Sequence, residues 1–229
     1  MSEVHSPEKA GSLADRIDAA LPQTQCQRCG FADCRAYAEA IASGTTTINR
    51  CPPGGAEGVG RLASITGQPA TELDPDCGYE GPVTLAVIDE EWCIGCTLCI
   101  KACPTDAILG TNKMMHTVME PYCTGCELCI PVCPVDCISL EPVNASLSGW
   151  AGWSEALAQQ ALERYRDRQT RLGRERAEHE ARQTAKAEDK LANLESHSKH
   201  TDPATLDRKR AIIEAALKRA KARRSADDH

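Results

Sequence analysis

Fourteen of the 229 residues are cysteines, and twelve of them fall into sets spaced for metal. Cys93, Cys96, Cys99 and Cys103 make one C-x2-C-x2-C-x3-C-P run, and Cys123, Cys126, Cys129 and Cys133 make another, displaced by 30 residues. A thiolate is a soft anionic donor, and four of them suit an iron–sulfur cube or a tetrahedral zinc ion. Zinc sites space their cysteines as two separated pairs. Here three sulfurs crowd one short loop and the fourth stands apart, which favours the cube.

In two-cluster ferredoxins this run wraps a [4Fe–4S] cube, and its fourth cysteine ligates the other cluster. One cluster is therefore assigned Cys93, Cys96, Cys99 and Cys133, and a second is assigned Cys123, Cys126, Cys129 and Cys103. Gly95 and Gly125 let each loop curl around its cube. Pro104 and Pro134 end the runs and suit the first turn of a short helix. Apolar positions match across the repeat: Trp92 with Tyr122, Leu98 with Leu128, Ile100 with Ile130, Ile108 with Ile138. Short strands near residues 84–88, 107–110, 114–119 and 138–141 are expected to form two antiparallel hairpins over the clusters. Cys137 falls on Ala107, a small packing position, and is read as structural. His116, Met114, Met115 and Met119 are read as packing beside a cluster.

A third set precedes these: Cys26-x2-Cys29-x4-Cys34-x16-Cys51-Pro52. Residues 35–43 read as a helix stopped by Gly44, so Cys34 lies near a helix N-terminus, where backbone dipoles favour thiolate. Four thiolates here fit a third [4Fe–4S] cluster, with zinc a real rival because C-x2-C is common to both. Cys77 stands alone and is read as a non-ligand.

These motifs must be carried by something, and the periodicity says what. Residues 1–11 read as disordered. Residues 12–67 form a small helical four-Cys domain, with helices over 13–21 and 56–66. The Pro-, Asp- and Gly-rich residues 68–81 read as a linker. Residues 82–143 form a two-cluster ferredoxin-like domain, and 144–229 a helical, charged, partly disordered tail. The tail reads as a long helix over 154–198 interrupted at Gly173, then a last helix from Pro203 to about residue 223. The fold class is α+β.

Composition narrows the function. Nothing at the N-terminus reads as a secretory signal, and no apolar run approaches a membrane span, so a reducing cytoplasm is the expected home. Residues 1–150 carry 8 Lys plus Arg against 19 Asp plus Glu, whereas 151–229 carry 18 against 14. An acidic cysteine-rich body argues against nucleic acid and for a basic docking partner. One Phe, three Trp and four Tyr leave little to bury, so clusters are expected to serve as core.

Residues 21–30 (Leu-Pro-Gln-Thr-Gln-Cys-Gln-Arg-Cys-Gly), 34–41 (Cys-Arg-Ala-Tyr-Ala-Glu-Ala-Ile), 49–54 (Asn-Arg-Cys-Pro-Pro-Gly), 86–96 and His116-Thr-Val118 closely resemble the B subunit of the Rnf-type ion-translocating electron transport complex. The resemblance spans residues 12–143 and implies a [4Fe–4S] cluster at Cys26, Cys29, Cys34 and Cys51. It also implies other complex subunits and a ferredoxin as partners, peripherally on the cytoplasmic face of the inner membrane. Family members usually begin with an anchor helix, which this chain is expected to lack, and often stop soon after the ferredoxin module.

The residues together read as an electron-transfer protein with three [4Fe–4S] clusters. Each proposed cluster has four thiolates, so no iron is open to substrate, and no phosphate loop or flavin motif is present. Hydride chemistry then belongs to a partner. The rival classes are a free ferredoxin-like carrier serving another enzyme or a redox regulator, and a zinc-stabilised interaction module.

Overall fold

The computed structural model describes residues 11–227 and divides into two units, one ending at Arg168 and one beginning at Gln169. The expectation of disorder over residues 1–11 lies, Gly11 apart, outside the described residues.

The first unit opens on helix α1 (Leu13–Ala19), which starts with a capping box: Ser12 Oγ accepts from the Asp15 main-chain N–H, and the Asp15 carboxylate accepts from Ser12. Hydrogen bonds from Arg35 and Ser12 hold the Asp15 carboxyl down to about 2. Helix α2 (Cys34–Ala42) is capped by Asp33, which accepts from the Ala36 N–H. Helix α3 (Gly55–Thr66) ends at Gly67, whose left-handed φ of 73° lets its N–H close on Ala63 O. Ile17, Leu21, Tyr37, Ile41, Ile48, Val59 and Leu62 of these elements and their loops bury together as one core.

The remainder of this unit has little regular structure. Strand β1 (Thr84–Ile88) leads into the first cysteine run, helix α4 (Leu98–Ala102) follows, and β2 (Ile108–Leu109), β3 (Thr117–Val118) and β4 (Ile138–Pro142) complete the strands. Two two-stranded antiparallel sheets result, so the mixture is α+β. They differ from the expected pair of hairpins. β2 and β3 do form a hairpin, with Ile108 opposite Val118, but β1 pairs with β4, Thr84 opposite Pro142 through Ile88 opposite Ile138. The reason lies in the repeat. β1 and β3 lead the two halves and β2 and β4 trail them, so each sheet joins the leading strand of one half to the trailing strand of the other. Sequence adjacency makes only one of these a hairpin. Ala86, Ile88, Ala107, Ile108 and Ile138 bury between the sheets alongside four cysteines.

Residues after 143 are not a loose appendage at their start. Helix α5 (Gly149–Gly152) and the first turns of α6 (Glu155–Ala192) form a third small core from Trp150, Trp153, Ala158 and Ala161. The Trp153 indole N–H donates to Pro22 O at 2.8 Å, and Arg61 lies 4.0 Å above the Trp150 ring. Glu80, in the expected linker, accepts from Ala56 N–H at the start of α3 and from Ser148 Oγ. The linker is thereby fixed to the helical domain and to the start of the tail.

In the second unit α6 passes Gly173 without the expected interruption, because one glycine costs a helix about 1 kcal/mol and its long neighbours absorb that. Helices α7 (Leu194–His197) and α8 (Pro203–Asp227) follow. Leu194 and Leu217 are buried, and Lys221 pairs with Glu188 at 3.1 Å. No helix among the described residues is long and apolar enough to cross a membrane.

Replacing Trp153 by Phe keeps most of the buried ring but leaves Pro22 O without its donor, a loss of about 1–3 kcal/mol. We expect calorimetry on the loaded chain to show melting several degrees lower. Trp153→Ala, which also leaves a cavity, should lower it further by the ~3–5 kcal/mol such truncations cost.

Candidate metal centres

The two C-x2-C-x2-C-x3-C runs share their left-handed backbone positions, although only the first carries a helix, α4. Gly95 and Gly125 have φ of 68° and 63°, Thr97 and Glu127 have 66° and 67°, and Asp106 and Asp136 have 49° and 50°. At the two glycines a Cβ would strike backbone as well as strain the angle: the Met114 main chain at Gly95, and Thr84 O at Gly125. Thr84 and Met114 are themselves 30 residues apart, so the same close approach is made in both halves.

Cys103 leaves its own run and joins Cys123, Cys126 and Cys129 in lining one small cavity, with Ala86, Thr105, Ala107 and Ile108 completing its wall. Its sulfur bears electrostatically on Cys126 and Cys129. In the other half Cys99 feels Cys96 and Cys93, while Cys137, next to Cys133, feels both Cys133 and Cys93. Cys26, Cys29 and Cys51 all bear on Cys34, so the third set also comes together. Among the described residues no three His, Cys, Asp or Glu side chains gather as a single metal ion would need. In the second set four cysteines line one cavity together, and a donor set of four sulfurs fits an iron–sulfur group.

Burial pushes Cys126 and Cys129 up to about 12 and raises Cys29, Cys34, Cys51 and Cys99. Without a cation these sulfurs therefore hold their protons, and a metal that binds them must displace those protons. Main-chain N–H groups aim at the sulfurs: Ala107 at Cys103 at 3.2 Å, His116 at Cys93 at 3.4 Å and Ala86 at Cys123 at 3.5 Å. Such donors favour extra negative charge on sulfur.

The Cys26–Cys34 loop is built differently. Gln23, Gln25 and Gln27 all adopt left-handed backbone angles, costly for non-glycine residues. A buried relay holds two of them. Gln23 Nε2 donates to Asp18 at 2.5 and 3.0 Å, Gln25 Nε2 donates to Gln23 Oε1 at 2.9 Å, and Gln25 Oε1 accepts from Cys34 N–H at 2.9 Å. Nothing in the spacing of the cysteines announces this relay.

Contacts also join this loop to the second run. Thr124 Oγ1 donates to Thr24 O at 3.0 Å, and Arg28 pairs with Glu127. Helix α6 adds a strap: Tyr165 OH donates to Asp33 at 2.9 Å, and Arg164 stacks 3.7 Å over Tyr122 while donating to Thr105 O at 2.8 Å. Arg168 pairs with Asp106 at 3.2 Å. Cys77 is buried near Cys29 and Cys51 and contacts Asp74 at 3.8 Å. The exposed residues Trp92, Ile94, Met114 and Met115 lie on or beside the first run and on the turn next to it, so two of the three methionines expected to pack are largely at the surface, and Met119 is half-buried. His116, by contrast, is buried against Cys99.

Comparison with known proteins agrees with this layout. A family model described as a 4Fe-4S dicluster domain matches residues 86–140, and one described as "Putative Fe-S cluster" matches residues 21–53. Curated relatives named as the B subunit of an ion-translocating oxidoreductase complex include one from an Azoarcus species, 58% identical over 138 residues, covering 60% of this chain and 75% of the relative. Another, from Thiobacillus denitrificans, is 55% identical over 65% of this chain and 79% of its own length. A third, from Alkalilimnicola ehrlichii, is 59% identical over 60% and 75%. No solved structure matches the chain.

Because Cys103 faces the cavity of the opposite run, Cys103→Ser should deplete the site seated on Cys123, Cys126 and Cys129 and spare the one on Cys93, Cys96 and Cys99. Iron counting with EPR of the reduced protein reads this directly. Loss confined to the nearer site would refute the crossed assignment.

Proposed function

Since the chain belongs to the family of B subunits of ion-translocating oxidoreductase complexes, we propose that it is an electron-transfer subunit carrying three [4Fe–4S] clusters. Cys26, Cys29, Cys34 and Cys51 hold the first. Cys123, Cys126, Cys129 and Cys103 hold the second, and Cys93, Cys96, Cys99 and Cys133 the third. The observation that carries this reading is the meeting of Cys103 with Cys123, Cys126 and Cys129 at one cavity. Residues 12–67 and 82–143 are the cluster-bearing domains, joined by 68–81, and residues 144–229 form a helical arm.

When bound, such clusters accept and release single electrons at sulfur-ligated iron. The chain supplies the rest. Its thiolates fill four positions on each cluster, which leaves no iron open to a substrate. Its loop amides favour the reduced charge on the sulfurs, and its buried Thr124–Thr24 contact holds the first site against the second. Crossed cysteines then bind the second site to the third. Hydride transfer belongs to a partner, and we assign the chain's partners as the other subunits of an ion-translocating complex and a ferredoxin. The complex would couple electron transfer between ferredoxin and NAD to ion movement, with this chain on the cytoplasmic side and held to the membrane through its partners.

Anaerobically purified full-length chain should contain about 12 iron and about 12 acid-labile sulfide, three cubes of four each. It should be brown and bleach on reduction with dithionite. Colourless protein loaded with zinc would overturn the reading, and a count near eight of each would remove the first site from it.

A further inference from the structure

The repeat makes the second and third sites near copies, so positions where the copies differ show what distinguishes them. Two such differences leave a side-chain donor free for ligand sulfur. Ala86 and His116 occupy equivalent positions, 30 residues apart. Their main-chain N–H groups make the same bond, Ala86 to Cys123 Sγ and His116 to Cys93 Sγ. Only the side chains differ. Ala86 ends at a methyl group on the wall of the Cys103/Cys123/Cys126/Cys129 cavity, whereas the His116 ring reaches Cys99, with Nδ1 3.2 Å from its Sγ.

Ala107 and Cys137 are likewise equivalent. Ala107 offers Cys103 its main-chain N–H alone, while the Cys137 Sγ lies 3.5 Å from the Cys133 Sγ. Both departures from the repeat thus place a side-chain donor on ligands of the same site, the one formed by Cys93, Cys96, Cys99 and Cys133. The opposite site gains two hydroxyls, Thr105 3.8 Å from Cys103 Sγ and Thr124 beside Cys126, and each gives its hydrogen to a main-chain oxygen, Thr105 to Tyr122 O at 2.8 Å and Thr124 to Thr24 O at 3.0 Å.

The tautomer of His116 follows from its surroundings. The ring is 1% exposed, and its Nε2 is buried with no partner. A hydrogen on Nε2 would be a buried, unpaired donor, which is the costlier way to leave a polar atom alone. With the hydrogen on Nδ1, the ring donates to sulfur and leaves only a lone pair unused. The ring packs directly over Gly110, where a Cβ would run into His116 Cδ2. Gly110 is the clearance that lets the imidazole sit there.

We propose that His116, assisted by the Cys137 thiol, makes the Cys93/Cys96/Cys99/Cys133 site the more readily reduced of the two ferredoxin-type sites. This rests on the cluster reading above. Reduction places added negative charge on the ligand sulfurs, and a donor hydrogen bond stabilises that form over the oxidised one. Both are positioning residues that act through Cys99 and Cys133. An electron shared between the two sites then resides on the one His116 faces.

The test is an EPR-monitored redox titration of anaerobically loaded full-length chain, with iron and sulfide counted on every sample. His116→Leu should make one site about tenfold harder to reduce, ~59 mV for one electron, and leave the other midpoints in place. Cys137→Ala should move the same midpoint less, with iron unchanged. His116→Asn, whose amide can donate from near the Nδ1 position, should restore most of the wild-type value, which a purely packing role for the ring would not produce. Unchanged midpoints in fully loaded variants would overturn the proposal. A wild-type chain that takes up no iron would overturn the ligand reading instead. If His116→Leu loses iron, wild-type protein labelled with 15N-histidine decides the matter. One histidine nitrogen coupled to the reduced spin supports the bond, and no coupling in fully loaded protein refutes it.

Discussion

Cys103 turns away from the three cysteines beside it and faces a cavity built by the other half of the repeat. That exchange is the constraint on which the cysteine-rich region depends. Neither half encloses its site alone, and neither sheet is made by one half alone, since β1 reaches β4 and β2 reaches β3. The fully buried apolar residues between them are few. Ala86, Ile88, Ala107, Ile108 and Ile138 share their core with cysteines. So little buried hydrocarbon supplies only a modest driving force at ~25 cal/mol per Å², and metal–thiolate bonding must contribute much of the folding free energy.

The other contacts follow from that weakness. A region that cannot hold itself firmly by hydrophobic packing is held from outside. Arg164, Tyr165 and Arg168 of α6 reach Thr105, Tyr122, Asp33 and Asp106, all near the cysteine runs. Trp153 ties the approach of that helix to Pro22, next to the glutamine relay that supports Cys34. The Arg28–Glu127 pair is half-exposed and adds little stability, but with the Thr124–Thr24 bond it sets the spacing of two cysteine loops. Distance between redox sites matters more to an electron carrier than the strength of any one bond.

Much of this was legible in the residues. Three cysteine sets and helices over α1, α2 and α3 follow from spacing and periodicity, because motif spacing and helical period are local rules. The pairing of β1 with β4 was not, since strand partners depend on how two halves dock and short strands carry almost no register information. The docking of Trp150 and Trp153 escaped for a related reason. A pair of tryptophans after a loop announces burial but not its partner. The Gln23–Gln25–Cys34 relay was hidden too, because glutamines in a loop look like ordinary surface residues until their left-handed angles and burial are seen. The sequence places His116 beside a cluster, and it is indeed buried against Cys99, but only the structure separates it from its neighbours Met114 and Met115, which lie at the surface.

A repeat that places four thiolates in two equivalent frames gives two equivalent sites, and equivalent sites give an electron no preference between them. Direction has to come from residues outside the shared pattern. The main-chain donors cannot supply it, because Ala86 and His116 make the same backbone bond in equivalent places. Side chains can, and a change from methyl to imidazole, or from methyl to thiol, alters the charge felt by sulfur without moving the frame. The symmetric part of the sequence therefore builds the sites, and its few exceptions are where the two sites acquire different chemistry.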